Sequence, residues 1–318
     1  MSEAMSEVQN ESPAETNTLS GFSRADLLAL TKFRLSALVL VTTFVGFWLN
    51  SKGGINWSLL FHTLLGSAFA AFGSAIFNQL MEIEPDKRMK RTADRPLPSK
   101  RMEPGVAFGL GWLLSAFSLI HLSKMVNIES AALTAATLGV YIFVYTPMKQ
   151  KSAWNTIVGA VAGALPPLIG WAGAAGLPLA HDPYFRWSLV TSAGAIFLFS
   201  LLFLWQLPHF LAINWMYRDE YRKGGFVMWA NDDDTGRKTS RLALLFSLCA
   251  MALAFFPPLF KLTSWAFLPG GLLVNAILLW FSIKFFRVRD RETARTLFFY
   301  TLIYLPLMLG ISMVFWHR

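Results

Sequence analysis

The sequence predicts an all-α polytopic membrane protein with nine transmembrane helices. Of its 318 residues, 54% are hydrophobic and 15% are charged, and the mean hydropathy is +0.45. In a chain of this length, such values are typical of proteins that cross the bilayer several times. Apolar runs of spanning length recur almost from end to end, so little sequence is left for a separate soluble domain.

Nine apolar segments account for the predicted transmembrane helices. The first and fourth are short, and we expect adjoining helical turns to complete their passage through the bilayer. In the fifth, Gly159, Gly163 and Gly170 predict close helix packing, and Pro166 and Pro167 predict a kink. The approximate bounds of the segments are 35–49, 59–80, 106–122, 131–145, 154–175, 187–215, 242–260, 265–285 and 297–315.

Residues 1–22 differ in composition from the rest of the chain. They contain four glutamates and neither Lys nor Arg, and we expect such a polar tail to be disordered. Residues 23–318 then form a single membrane domain. The tail lacks the arginines of a mitochondrial transit peptide and the basic start of a secretory signal, so we expect a bacterial cytoplasmic (inner) membrane.

The distribution of basic residues predicts the orientation of the chain. Of the 28 Lys and Arg residues, 23 fall on one side of the predicted helices and 5 on the other, alternating at every loop. Because the basic side faces the cytoplasm, we expect the N-terminus inside the cell and the C-terminus outside. Topology thus accounts for the net charge of +9, and no nucleic acid partner is expected. The single cysteine, Cys249, excludes a disulfide framework within the chain.

The stretch from residue 78 to 98 closes the second apolar segment and carries the first candidate site. On a helix, Asn78, Glu82 and Asp86 would recur every four residues on one face. Their amide and carboxylate oxygens suit a hard cation such as Mg²⁺. Pro85 disfavours a continuous helix here, so we expect Asp86 to lie past a kink.

Seven basic residues accompany these acids, and such side chains bind phosphate. They are Lys87, Arg88, Lys90, Arg91, Arg95, Lys100 and Arg101. Acidic ligands beside cations predict a site for a metal-bound diphosphate. Solvated charges that only set the orientation of the chain would give the same pattern, and the sequence of this stretch alone leaves both interpretations open.

A second group of acids follows the sixth segment. Asp219 and Glu220 stand among basic residues at the same predicted cytoplasmic face as the first group. Two acid clusters at equal depth indicate two similar halves that face one another across a cavity. Around one diphosphate, they predict ionisation of an allylic carbon–oxygen bond, with the developing charge stabilised in a site screened from water. A hydrocarbon-lined cavity would accept a prenyl chain from the bilayer.

These motifs resemble those of the UbiA-type intramembrane prenyltransferases. The first motif reads Asn78-x3-Glu82-x3-Asp86, followed by Met89-x-Arg91-Thr92-x2-Arg95-Pro96-Leu97. Residues 145–149, 155–171, 205–210 and 218–221 agree as well, so the resemblance extends from residue 32 to the C-terminal end.

Two departures from the pattern of this family matter. Many members have Asp where this chain has Glu82 and Glu84, which puts the number of metal ions in question. Quinone-type members have several Asp where this chain has His209, Asp219 and Glu220. The second departure favours haem as the acceptor.

The resemblance implies a fold and a reaction. The fold is a bundle of nine transmembrane helices around a central cavity, with the active site at the cytoplasmic face. The reaction transfers a farnesyl group from farnesyl diphosphate to a vinyl group of protohaem IX (haem B), with addition of water, and gives haem O and diphosphate. Haem is then a substrate, Mg²⁺ is the cofactor, and a haem A synthase or a terminal oxidase is an expected assembly partner.

The resemblance also implies roles for individual residues. Asn78, Glu82 and Asp86 would hold one Mg²⁺, and Asp219 and Glu220 would hold or orient a second. Arg91, Arg95, Lys149 and Arg218 would bind the diphosphate. Trp205 and His209 would contact haem. For His209, a hydrogen-bonded structural role is the competing interpretation, although ionisable groups within membrane spans are often functional.

Three other functions are weighed against this one. A prenyltransferase of the same family with a quinone precursor as its acceptor would use the same donor site. A transporter with broken helices would share the prolines and glycines, but its acids should lie near the middle of the bilayer rather than at one face. A haem-binding protein without catalysis would not need paired acid clusters.

Overall fold

The computed structural model describes residues 23–176 and 185–317. The predicted disordered tail, residues 1–22, lies outside the described residues. Within the described ranges, nine helices are long and apolar enough to cross a membrane, as the nine apolar segments predict. We number them as spans 1 to 9: Phe33–Asn50, Trp57–Met81, Pro104–Met125, Ile128–Met148, Asn155–Gly173, Ala193–Met216, Arg237–Leu259, Phe267–Val288 and Arg291–Phe315.

The starts of spans 6, 7 and 9 differ most from the predicted ones. Spans 7 and 9 begin at Arg237 and Arg291, about one and a half turns before the apolar segments, because charged side chains can extend to the water while the helical backbone continues. The sixth apolar segment is broken at Ser192, whose backbone is extended and whose hydroxyl caps the next helix at Ala195. A separate short helix, Trp187–Thr191, precedes that break.

Short helices and helix breaks complete the fold. Two spans are interrupted before proline pairs that cannot donate backbone N–H groups: span 5 at Leu165 and span 7 after Leu253. The predicted kink in span 5 is thereby confirmed. Three further short helices lie outside the spans, at Arg24–Leu30, Ile83–Lys87 and Arg218–Gly224.

Span 5 lies between two groups of helices. Its first half packs against span 6 and its second half against span 1, while span 2 packs on span 3 and spans 6 to 9 pack among themselves. In an 18-residue window of span 5, 72% of the residues are buried, against 22% in span 3. Span 5 therefore joins the two groups, and most of its surface is covered by other helices rather than by lipid.

Glycines set the distance between span 5 and its neighbours, as predicted. A Cβ atom on Gly170 would lie 1.8 Å from the backbone oxygen of Thr43, and one on Gly46 would lie 1.9 Å from that of Pro167. On Gly163, a Cβ atom would lie 2.0 Å from the side chain of Gln206. Spans 1 and 5 thus touch backbone to backbone, a packing that small residues allow in membranes.

Span 4 contains one wide turn near the candidate site. The span is α-helical over Ile128–Gly139 and π-helical over Val140–Tyr145. Both the backbone N–H and the hydroxyl of Thr146 donate hydrogen bonds to the carbonyl of Tyr141, the hydroxyl at 2.8 Å. Single π-helical turns of this kind often occur at functional sites.

Candidate active site

Span 2 ends where the first predicted motif begins. It stops at Met81 because Glu82 leaves the helical conformation, with φ −108° and ψ 15°, and the short helix Ile83–Lys87 follows. Pro85 cannot donate an N–H group to the carbonyl of Met81, which explains why the helix is not continuous. Asp86 therefore lies past a break, as expected, although the break falls at Glu82. Asn78, Glu82 and Asp86 are all at least 97% buried.

Each of these three side chains contacts a cation from a different part of the chain. Arg95 donates to Asp86 at 2.6 Å and Lys149 donates to Glu82 at 2.8 Å. Lys32, the residue before span 1, donates to the side-chain oxygen of Asn78. The structure thus brings together Arg95 and Lys149, two of the four predicted diphosphate-binding residues, with the first group of predicted metal ligands in one network.

Burial and positive charge together determine how these lysines titrate. Burial lowers the pKa of Lys32 to about 7, and the nearby charges of Arg95 and Lys149 act in the same direction. Burial also disfavours the charged form of Lys149, but Glu82 and two tyrosines outweigh it, so its pKa is raised. Burial raises the pKa of Asp86 despite Arg95. An anion bound beside Lys32 would therefore stabilise the charged form of this lysine.

Lys32 is a site residue that sequence reasoning missed. In the sequence it is one of three basic residues before the first apolar segment, and its partner Asn78 lies 46 positions further along the chain. Only its position at the start of a span, on the same predicted side as the two acid clusters, was a signal.

Removal of the Lys32 charge should weaken binding of an anionic substrate. We expect Lys32→Met to raise the apparent KM for farnesyl diphosphate by about tenfold, because a charge-assisted hydrogen bond is worth about 1.4 kcal/mol or more. Arg34→Met is the matched control, since Arg34 is exposed two residues away. Equal KM values for the two variants would remove Lys32 from the site.

The second predicted cluster lies against the first. The helix Arg218–Gly224 packs on Ile83–Lys87, and the Arg91 guanidinium lies 5.4 Å from the ring centre of Tyr217 and 6.0 Å from that of Tyr221. Met89 packs against Phe226 in a small apolar cluster beneath these contacts. The loops that follow spans 2 and 6 are therefore neighbours at one end of the bundle.

Asp219 and Glu220 have different surroundings. The Asp219 side chain is 77% exposed and reaches Arg218 and Arg222 only at 3.9 Å. One carboxylate oxygen of Glu220 is buried and has no hydrogen-bond partner among the described residues, and the same holds for one terminal nitrogen of Arg218. Glu220 is thus the member of this pair whose buried oxygen can still accept a ligand.

The available oxygen atoms fit Mg²⁺ better than a transition metal. In the part of the chain that the structure describes, no three His, Cys, Asp or Glu side chains form a metal-binding group. The first network instead offers two buried carboxylates and an amide. Mg²⁺ commonly takes one or two carboxylates and completes its coordination with water and substrate phosphates, so the residues present fit this ion.

His209 and Trp205 both contact span 9. His209 Nδ1 hydrogen-bonds the hydroxyl of Thr301 at 2.7 Å, and Trp205 Nε1 donates to the Thr301 carbonyl at 2.6 Å. The His209 ring stacks on Trp205 and on Phe298, at ring-centre distances of 5.4 and 4.9 Å. These contacts include the hydrogen bond that the competing, structural interpretation of His209 expects. Haem binding by either residue stays a prediction.

Comparison with known proteins identifies relatives along nearly the whole chain. Residues 39–303 match the UbiA prenyltransferase family. The chain is 35% identical to the protoheme IX farnesyltransferase of Solibacter usitatus, with 91% of this chain and 98% of that protein aligned. It is 38% identical to the enzyme of the same name from Opitutus terrae, with 94% and 97% aligned.

Solved structures share the fold at lower sequence identity. A structure of a digeranylgeranylglyceryl phosphate synthase matches with a TM-score of 0.73 and 15% identity, over 91% of this chain and 97% of that one. A UbiA homologue from Archaeoglobus fulgidus, solved with GPP and Mg²⁺, matches with a TM-score of 0.64 and 13% identity, over 90% and 99%. These proteins therefore share the overall fold of this chain.

Proposed function

The chain belongs to the UbiA prenyltransferase family, and from this premise we propose that it transfers a farnesyl group from farnesyl diphosphate to a vinyl group of haem B. The relatives named protoheme IX farnesyltransferase support this acceptor. The observation that carries the proposal is the buried network in which Asn78, Glu82 and Asp86 meet three cations at the end of span 2. Acids at one end of the bundle favour a prenyltransferase over a transporter.

The network provides for both the metal and the diphosphate. Asn78, Glu82 and Asp86 would hold one Mg²⁺, and Asp219 and Glu220 a second, with Glu220 the better placed of the two. When bound, Mg²⁺ supplies positive charge that neutralises the leaving diphosphate. The homologue with bound GPP and Mg²⁺ supports this ligand pair. The donors to the diphosphate oxygens would be Lys32, Arg91, Arg95, Lys149 and Arg218.

The reaction consists of one heterolysis and two additions. The carbon–oxygen bond of farnesyl diphosphate breaks and diphosphate leaves with the electron pair, stabilised by the fixed cations. The vinyl group of haem B attacks the allylic cation through its terminal carbon, which moves the positive charge to the carbon beside the porphyrin ring. Water adds there and releases one proton. Tyr141 and Tyr145, which lie beside Lys149, offer electron-rich rings near the cationic intermediate.

Incubation of the purified protein in lipid nanodiscs with haem B, farnesyl diphosphate and Mg²⁺ tests this function. We expect a pigment heavier than haem B by one farnesyl group and one hydroxyl group, together with released diphosphate, and no product when Mg²⁺ is chelated. Conversion of a quinone precursor but not of haem B would show that the acceptor is a quinone precursor instead. Absence of product with either acceptor would refute prenyl transfer.

We further propose that the protein lies in the bacterial cytoplasmic membrane with its N-terminus inside. Single cysteines at Ser58, Ser99, Ser152 and Thr235, in a chain with Cys249→Ser, test this orientation. An impermeant thiol reagent added to intact cells should label only the cysteine at position 58, because the other three lie in basic loops. Labelling at position 99 from outside would reverse the orientation.

The proposed product also bears on partners. Haem O would have to leave the bilayer site for an enzyme that oxidises it further or for an oxidase that incorporates it, so a haem A synthase or a terminal oxidase is the proposed assembly partner. Co-purification from membranes in mild detergent tests this contact.

A further inference from the structure

A cleft of about 480 Å³ opens between the end of span 6 and the start of span 9. It combines exposed cations with aromatic and thioether side chains. Its lining consists of Met216, Tyr217, Arg291, Glu292, Arg295, Phe298 and Phe299. None of these residues was predicted to take part in the site.

The two arginines of the cleft are free to bind an anion. Arg291 and Arg295 are one helical turn apart on span 9, so their side chains share a face. Both are exposed, and neither guanidinium group forms a salt bridge or hydrogen bond with another residue in the described ranges. Arg295 lies over the ring of Phe299 at 5.5 Å, which holds its guanidinium against an apolar surface. Glu292 leaves the lining with one net positive charge.

The cleft adjoins both parts of the proposed active site. Tyr217 lines the cleft, and its ring also contacts Arg91, a predicted diphosphate donor, at 5.4 Å. Phe298 lines the cleft and stacks on His209, which stacks in turn on Trp205. His209 lies two helical turns before Met216, about 10 Å along span 6, a distance comparable with the reach of a tetrapyrrole from its iron to its carboxylates.

We infer that this cleft binds the two propionate groups of the acceptor macrocycle through Arg291 and Arg295. This inference rests on the proposed function, which makes haem B the acceptor. Paired guanidinium groups hold carboxylates by charge-assisted and bidentate hydrogen bonds. The ring of the macrocycle then extends along Phe298 towards His209 and Trp205, and its edge faces the diphosphate network across Tyr217.

Haem titrations with a propionate-blocked analogue test the inference. Binding of haem B and of haem dimethyl ester is followed by absorption in nanodiscs of neutral phosphatidylcholine, so that no anionic lipid competes. We expect the unmodified protein to bind haem B at least ten times more tightly than the ester. The double variant Arg291→Gln, Arg295→Gln should bind haem B and the ester equally, each with the weak affinity that the unmodified protein has for the ester. Its KM for farnesyl diphosphate should be unchanged.

Arg287→Gln is the matched control. Arg287 is also exposed at the end of a span, but it lines a separate basic cleft with Arg237 and Arg289, so its variant should keep the preference for haem B. A double variant that retains this preference, or an unmodified protein without one, would overturn the inference. The inference would also be overturned if the unmodified protein and the double variant differed in their preference for haem B only in nanodiscs that contain phosphatidylglycerol. The arginines would then bind lipid headgroups.

The outcome for the cleft can be separated from that for the function. If the unmodified protein makes haem O and the double variant discriminates normally, only the cleft assignment fails. If no product forms but the preference for free propionates is lost in the double variant, the transferase function fails and the carboxylate site stands.

Discussion

Glu82→Gln and Asp86→Asn should each lower turnover of farnesyl diphosphate by about a thousandfold, the effect of losing a principal stabiliser of transition-state charge. Both carboxylates are buried and each pairs with one cation, Lys149 or Arg95. Each substitution therefore removes an oxygen donor for Mg²⁺ and also the negative charge that balances a buried cation. The measurement is single-turnover product formation at saturating substrate and increasing Mg²⁺ concentration.

Glu84→Gln provides the control for this pair. Glu84 lies between the two acids in the sequence, but its side chain is 67% exposed and, among the described residues, forms a salt bridge only with Lys87, so its variant should turn over normally. Because loss of a buried partner can itself destabilise the fold, thermal unfolding of all three variants accompanies the assay. Near-normal turnover of Glu82→Gln in folded protein would exclude this network as the metal site.

Gly170→Ala should lower the free energy of unfolding by about 3 kcal/mol or more, at the upper end of what overpacking usually costs. The new methyl group would lie 1.8 Å from the backbone oxygen of Thr43, and no side-chain rotation can relieve a contact with backbone. Spans 1 and 5 would have to separate, which displaces the segment that carries Lys32. Thermal unfolding in detergent and the yield of folded protein from membranes are the measurements.

Gly109→Ala is the matched control for the glycine contact. Gly109 lies in span 3, and a Cβ atom there would meet no atom of the described residues within 4 Å. Alanine has the higher helix propensity, so this variant should be as stable as the unmodified protein or slightly more so. If Gly170→Ala and Gly109→Ala both unfold at the same temperature as the unmodified protein, the close contact between spans 1 and 5 does not limit stability.

The spans could be predicted because hydropathy and charge are local properties of the sequence. Hydropathy predicts later starts for spans 7 and 9 than the structure has, because both helices begin in the charged residues before the apolar segment, at Arg237 and Arg291. Similarly, Pro85 indicated a break in the helix after Asn78, but the conformation of Glu82 determines where the break falls. Patterns thus identified each element, and single backbone conformations determined its limits.

The candidate site was predictable only in part. Its acids share a short motif, so their spacing could be read directly from the sequence. Lys32 and the Arg291–Arg295 cleft depend on contacts between distant segments, such as Lys32 with Asn78 and Tyr217 with Arg91. Neither has a local pattern beyond that of basic residues at a membrane edge. The different surroundings of Asp219 and Glu220, which are adjacent in the sequence, likewise follow from packing alone.

The wide turn at Val140–Tyr145 is the place where span 4 can lose one codon without losing its register. A π-helical turn holds one residue more than an α-helical turn, so loss of one residue here would let the span close into a regular α-helix while the later residues keep nearly their present orientation. These include Thr146, which contacts Asn78, and Lys149. In-frame deletion of Phe143, whose side chain is 77% exposed, should therefore spare the site, whereas loss of a residue from the α-helical part, Ile128–Gly139, would rotate every later residue by about 100° around the axis.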